Sequence, residues 1–262
     1  ELGCKLFIRS NRGVALTPEG ERLYRRVSVA YEQLRLAEDE IRRDCSLDTG
    51  VISIAVSETA LHLLLLDKLS VFHASYPGVR LRIANDSTPQ AIEALKRGQV
   101  DCAVVTTPAP QAAGLQQTPL LSFHGVLLCG NRYPELTREP MHLSELSVYS
   151  FICLGEGTST YEFYQQLFAQ NGLPFRVDLE ASTMDQVLPM ISHNLGIGFY
   201  PEPMAADALA RGEVQKIPLI EEIPERHLCL IEDAARPQSV ALRALRKHLC
   251  APAAASDILF SY

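Results

Sequence analysis

Residues 51–105, VISIAVSETALHLLLLDKLSVFHASYPGVRLRIANDSTPQAIEALKRGQVDCAVV, decide the fold. Val51–Val56 is an uninterrupted apolar run rich in β-branched residues, the mark of a strand buried on both faces. Ser57-Glu58-Thr59 supplies a loop and a cap, and Ala60–Ala74 reads as a helix. Tyr76-Pro77-Gly78 turns the chain into a strand over Val79–Ala84. Asp86-Ser87-Thr88-Pro89 caps a second helix that runs to Arg97 and stops at Gly98. Val100–Val105 is again a buried strand. The order is β-α-β-α-β, which calls for a parallel sheet with helices on its faces.

The same order returns downstream. Tyr149–Leu154 is a strand, residues 155–159 a loop, Tyr161–Gln170 a helix stopped by Asn171-Gly172, and Phe175–Glu180 a strand. Ser182-Thr183 then caps a helix to Asn194, and Gly196–Tyr200 is a strand closed by Pro201. Two copies imply two similar α/β units with largely parallel sheets. Phe123–Cys129 and His227–Ile231 are strands at the two junctions, so the chain leaves the first unit and comes back. Gln238–Leu249 is an amphipathic helix with Val240, Leu242, Leu245 and Leu249 as its apolar positions, and the tail from Ala251 to Tyr262 has little pattern.

Upstream, Thr17-Pro18-Glu19 is a helix start: a hydroxyl to cap, proline at the first helical position, and an acid near the positive end of the dipole. Leu23, Val27, Ala30, Leu34, Ala37 and Ile41 then recur in steps of four and three. That narrow heptad seam suits a helix pairing with a second chain better than one lying on a broad core of its own.

The chain has 262 residues, 47% hydrophobic and 21% charged, which fits two small globular domains rather than a disordered chain. The net charge of −7 argues against the bulk of it lying on nucleic acid. The charge is uneven. Between positions 5 and 26, Lys5, Arg9, Arg12, Arg22, Arg25 and Arg26 face only Glu19 and Glu21, a local +4. The seven cysteines are scattered without a CxxC, which points to a reducing cytoplasm, with Cys102, Cys129, Cys153 and Cys229 as small buried hydrophobes. No apolar run is long enough to span a bilayer, and the N-terminus carries no secretory pattern.

Catalytic signals are weak. There is no GxSxG elbow and no Walker loop, and the histidines lack metal-ligand spacing. Gly155-Glu156-Gly157 and Gly196-Ile197-Gly198 lack the third glycine of a dinucleotide fingerprint. The expectation is a protein that is not an enzyme and needs no cofactor or metal. Parallel α/β units bind ligands at the carboxyl ends of their strands. Here those ends carry Ser57 and Thr59, Ser87 and Thr88, Thr106 and Thr107, Thr158 and Ser159, and Ser182 and Thr183. Any one of these hydroxyls is as readily explained as a helix cap. As a group facing a cleft they predict a pocket for a small anion, with Phe199 and Tyr200 as apolar walls.

Glu1-Leu2-Gly3-Cys4-Lys5-Leu6-Phe7-Ile8-Arg9, Gly13 and Leu16-Thr17-Pro18-Glu19-Gly20 resemble the end of the winged helix-turn-helix domain of LysR-type transcription regulators. The family pattern there is E-x-x-L-G-x-x-L-F-x-R followed by L-T-x-x-G. Ser87-Thr88-Pro89-Gln90, Leu95-x-x-Gly98-x-x-Asp101 and Asn194-Leu195-Gly196-Ile197-Gly198 resemble the family's regulatory half. The resemblance covers nearly the whole chain. It implies two Rossmann-like subdomains of the periplasmic-binding-protein type 2 fold, joined by two crossover strands and preceded by a long dimerisation helix. The expected layout is a wing remnant (1–16), a linker helix (17–49), subdomain I (50–128), subdomain II (129–227), a return to subdomain I (228–250) and a tail (251–262). Leu6 and Phe7 would pack the wing, and Arg9 and Arg12 would approach DNA phosphates. Effector contacts map to Thr59, Thr88, Thr106, Thr158 and Phe199, with Ser57 and Ser87 beside them. By this resemblance roughly sixty residues of DNA-reading helices would precede Glu1, and this stretch alone would bind DNA weakly. The implied partners are a small-molecule effector, DNA for the full-length protein, and a second copy in a homodimer or homotetramer, with no membrane. The alternative with the same fold is a solute-binding protein of a transport system.

Overall fold

The computed structural model describes residues 4–10, 13–28, 30–31, 50–110 and 112–251. The expectations for Arg12, Leu34, Ala37, Ile41 and the tail beyond 251 therefore fall outside the described residues.

β1 (Phe7–Ser10) and β2 (Gly13–Leu16) form a tight antiparallel hairpin in the register Phe7↔Leu16 to Ser10↔Gly13. Arg9 lies on β1. In this chain Phe7 is 60% exposed and Leu6 partly buried. A helix over residues 18–28 (α1) follows, and residues 30 and 31 are also helical. Thr17 joins hairpin to helix. Its hydroxyl donates to the Lys5 carbonyl at 2.7 Å and accepts the Gly20 N–H at 2.9 Å, capping α1 as expected. Gly20 is needed there, since a Cβ would overlap the Leu6 carbonyl oxygen.

The first lobe is built on a five-stranded sheet, ordered β4 (Val79–Asn85), β3 (Gly50–Val56), β5 (Cys102–Thr106), β12 (Arg226–Asp233), β6 (Leu115–Phe123). β3 pairs parallel with β4 and β5, whereas β12 runs antiparallel to both of its neighbours. Alternation explains the apolar run in β3. Ile52, Ile54 and Val56 pack with Leu65, Phe72, Leu242 and Leu245, while Ala55 faces Ile92, Leu95 and Val105 on the other side. The helices responsible are α2, α3 (Thr88–Lys96) and α7 (Val240–Cys250). α2 is a continuous helix in three parts: Glu58–Ala60, a π-helical stretch Leu61–Leu65, and Leu66–Ser75. A regular helix was expected there.

The second lobe carries the sheet β11 (Val214–Lys216), β7 (Gly125–Gly130), β10 (Ile197–Pro201), β8 (Phe151–Leu154), β9 (Leu179–Ala181). β10, β8 and β9 are parallel, and β7 and β11 are antiparallel. α4 (Ser159–Gln170) packs on one face through Tyr164, Leu167 and Phe168. α5 (Met184–Ser192) and α6 (Glu202–Ala210) cover the other through Val187, Ile191 and Ala205.

Three sequence expectations need correction. Both sheets are mixed rather than largely parallel, because the junction strands enter them antiparallel. The single strand expected over Phe123–Cys129 is two: β6 ends at Phe123 in the first sheet and β7 begins at Gly125 in the second, with His124 between them. The strand expected over Phe175–Glu180 shortens to Leu179–Ala181, since Asp178 turns back to accept the Phe151 N–H at 3.2 Å.

Candidate functional site

A cavity of about 350 Å³ lies between the lobes at the carboxyl ends of the parallel strands. Four helices begin at its walls. From the first lobe come α2, capped by Ser57, whose hydroxyl accepts the Ala60 N–H at 3.4 Å, and α3, whose N-cap is Ser87. From the second come α4, where Thr158 accepts the Tyr161 N–H at 3.2 Å, and α5, which starts after Thr183. Helix starts leave N–H groups unpaired and carry a partial positive charge, so the cavity is a polar, donor-rich space.

Six of the seven effector positions expected from the sequence line this cavity: Ser57, Thr59, Ser87, Thr88, Thr106 and Thr158. Their local roles differ from the expectation in one respect. Ser57 and Ser87 are the caps, while Thr59 and Thr88 sit inside the first turns of their helices. Ser87 is held by Gln90, whose side-chain oxygen accepts its N–H at 3.0 Å and its hydroxyl at 2.9 Å. Thr88 is 3% exposed and donates its hydroxyl to the Thr106 carbonyl at 3.0 Å, tying α3 to the end of β5. Thr158 donates to the Gly155 carbonyl at 2.8 Å while it caps α4.

Phe199 is the exception. It is 3% exposed, stacks on Tyr164 with ring centroids 4.1 Å apart, and belongs to the core beneath α4 rather than to the cavity. β10 is an interior strand of its sheet, so its alternate residues point into the two helical layers and not along the strand toward the cleft. Tyr200 is likewise buried, in the opposite layer.

Sequence reasoning missed the group behind the cavity floor. Arg226 opens β12 and is 1% exposed. Its Nε donates to the Thr107 carbonyl at 2.8 Å, and its Nη2 donates to the hydroxyls of Thr106 and Thr160, each at 3.2 Å. The guanidinium carbon lies 4.9 Å from the Phe163 ring centroid and 5.6 Å from that of Phe123. These partners come from both lobes, and all are neutral. No carboxylate lies within ion-pair distance of Arg226 among the described residues. Burial draws its pKa below the ordinary value, opposed by neighbouring Tyr164, whose own hydroxyl burial pushes up to about 12. Beside this floor, Ser159 is 2% exposed and its hydroxyl oxygen has no hydrogen-bond partner among the described residues.

The walls also hold Glu58, Asp86, Glu156 and Glu180, with no lysine, arginine or histidine among the described residues that line them. Glu58 accepts from Asn85 at 2.6 Å and meets His62 at 2.8 Å, and Glu156 accepts the Tyr161 hydroxyl at 3.2 Å. The buried thiols point away from redox chemistry: burial pushes Cys129 to about 11 and Cys153 to about 12, so both stay protonated near neutral pH.

Residues 46–251 match the family model described as the LysR substrate binding domain. The transcriptional dual regulator GltC of Bacillus subtilis is 25% identical over 225 residues, spanning 86% of this chain and 74% of that protein. Two solved structures share the fold. The regulatory domain of Synechocystis PCC6803 CcmR in complex with 2-PG superposes with a TM-score of 0.70 at 22% identity, over 77% of this chain and 96% of that one. The effector-binding domain of QuiR in complex with shikimate gives 0.68 at 17% identity, with the same coverage of 77% and 96%.

Proposed function

Because that match spans residues 46–251, the chain belongs to the LysR family of transcription regulators, and from this premise we propose that its inter-lobe cavity binds a small metabolite through an anionic group. The observation that carries the reading is the convergence of four helix starts, two from each lobe, on one cavity of about 350 Å³ with hydroxyls on every side. A ligand that touches both lobes stabilises the relative orientation that brings those contacts together. Relatives with ligands in their names support a small effector: 2-PG for CcmR and shikimate for QuiR.

In this reading Ser57, Thr59, Ser87, Thr88, Thr106 and Thr158 contact the effector, and the binding changes the angle between lobes, hence between the α1 helices of paired chains. Leu23 and Val27 are 38% and 53% exposed in the single chain, and Ala30 is exposed too, which supports their covering by a second copy. The β1–β2 hairpin, with Arg9 on it, would approach DNA phosphates in the assembled regulator. Binding and signalling, rather than catalysis, is the assigned role, in the cytoplasm; among the described residues no helix is long and apolar enough to cross a membrane.

The experiment is a thermal-shift screen of metabolites against the purified chain. A ligand at a hundred times its Kd stabilises by about 2.7 kcal/mol. Hits should carry an anionic group, and Thr59→Ala and Thr88→Val should weaken them. Wild-type affinity in both variants would remove the assignment of the site.

A further inference from the structure

The electrostatics of the cavity are split, and the split restricts the ligand further than its anionic group does. Behind the floor lies a buried cation, Arg226, whose partners among the described residues are neutral oxygens and aromatic faces. A buried guanidinium without a counter-ion is costly unless an anion completes it. The hydroxyls of Thr106 and Thr160 accept from Arg226 and line the cavity, so they separate the guanidinium from the ligand space by one side-chain layer. Next to Thr160 in the chain, Ser159 lines the same cavity, and its buried hydroxyl is unpartnered among the described residues. Buried polar atoms are nearly always satisfied, so this oxygen marks the place where a ligand atom belongs.

Away from the floor the sign reverses. Among the described residues the walls carry four carboxylates and no cationic side chain. Two of the four are already engaged, Glu58 by His62 and Asn85 and Glu156 by Tyr161. The carboxylates of Asp86 and Glu180 make no hydrogen bond or ion pair with any described residue. They face the same space from opposite lobes, Asp86 just after β4 and Glu180 in β9. Gly155 leaves room for Glu180, since a Cβ there would overlap its carboxylate. A purely anionic ligand would be drawn to the floor and repelled by these walls. A purely cationic ligand would leave the charge of Arg226 without a counter-ion and the Ser159 hydroxyl without a partner.

We propose that the effector is an ammonium carboxylate, an amino acid or close derivative, with its anionic group on the floor over Ser159, Thr160 and Arg226 and its ammonium between Asp86 and Glu180. This rests on the cavity being the effector site, and adds to that reading the second charge of the ligand and the residue that sets the first.

The test uses the purified 262-residue chain and matched probes. These are the proteinogenic L-amino acids, the α-hydroxy acids of the same skeletons and the amines of the same skeletons, with dicarboxylates and phosphate esters as a fourth set. Amino acids should raise the melting temperature where the matched hydroxy acids and amines do not. In calorimetry the best amino acid should bind about tenfold or more weakly to the variant carrying Asp86→Asn and Glu180→Gln, while any hydroxy-acid binding is unchanged or strengthened. Arg226→Lys should retain more affinity than Arg226→Gln. If Arg226→Gln fails to fold, the surface pair Asp86→Asn and Glu180→Gln still decides. Hydroxy acids, dicarboxylates, phosphate esters or amines binding as well as or better than amino acids would overturn the ammonium carboxylate and leave the cavity as a site. Equal loss of amino acid and hydroxy acid in the carboxylate variant would overturn it too. Silence from all four sets would overturn both this inference and the cavity as effector site.

Discussion

Thr88→Val is the substitution that separates a structural hydroxyl from a ligand contact. Valine keeps the shape and the helix N–H groups but removes the hydroxyl that donates to the Thr106 carbonyl at 3.0 Å. The site is 3% exposed, so water cannot replace the lost partner. A neutral buried hydrogen bond contributes about 1 kcal/mol net. For a domain pair of this size that corresponds to a fall in Tm of about 2–4 °C. The hydroxyl proton is already committed to Thr106, so toward a ligand Thr88 can only accept, and the loss of one such bond lowers affinity by about tenfold. Thermal and urea melts of the free protein measure the first quantity, and titration of a screened ligand into the same sample measures the second. A stability loss below about 0.3 kcal/mol would refute the weight given to the Thr88–Thr106 bond. A full stability loss with wild-type affinity would leave the bond standing and remove Thr88 from the ligand contacts.

Three other perturbations have defined outcomes. Phe199→Ala should cost about 3–5 kcal/mol of stability as a core truncation yet leave the affinity of the folded protein near wild type, and a selective loss of affinity would return Phe199 to the cavity wall. Val27→Lys, at a residue 53% exposed in the single chain, should lower the weight-average mass in sedimentation; an unchanged assembly would place the association on the lobes instead. Glu221 is raised by burial but pulled below its ordinary pKa by the N–H of Leu143 and by His142, at 3.0 and 3.2 Å. A depressed carboxyl contributes stability that is complete above its unfolded pKa, about 4.3, and is lost as pH falls through the folded value. Glu221→Gln should therefore destabilise at neutral pH and flatten the acid limb of the stability curve, and parallel acid limbs in the two proteins would contradict this.

The α/β alternation was legible because both faces of β3, β5, β8 and β10 are buried, so these strands read as apolar runs between hydroxyl-rich caps. β6 was not legible. It is an edge strand containing Gln116, Gln117, Thr118 and Pro119, and only an edge tolerates that composition, with the register of β12 shifting between Leu228 and Cys229 to accommodate it. The capping segment 86–89 was legible but not which hydroxyl caps, because Ser87 and Thr88 stand side by side before Pro89. Most of the hydroxyl floor was readable from strand ends. Arg226 was not, since an arginine beside Glu225 and His227 at a strand start carries no sign that it will be buried; only the meeting of two lobes around it makes it so. Phe199 was misplaced because proximity to a strand's end does not say which way the side chain points.

The strand order has a consequence for how this chain reaches its native state. The second sheet is made entirely of residues 125–216, a continuous stretch, whereas β12 of the first sheet is inserted between β5 and β6 from near the C-terminus. During synthesis the second lobe has all its strands while the first still has a gap at its centre, with β6 unpaired. Pairing β12 with β5 joins residues more than a hundred positions apart, and closing so long a loop is the slow, entropically costly part of folding. The first lobe and the cavity floor therefore form together, last, in the event that buries Arg226. A chain released before that strand emerges would hold one finished lobe, one open sheet edge prone to pairing with other chains, and no binding site.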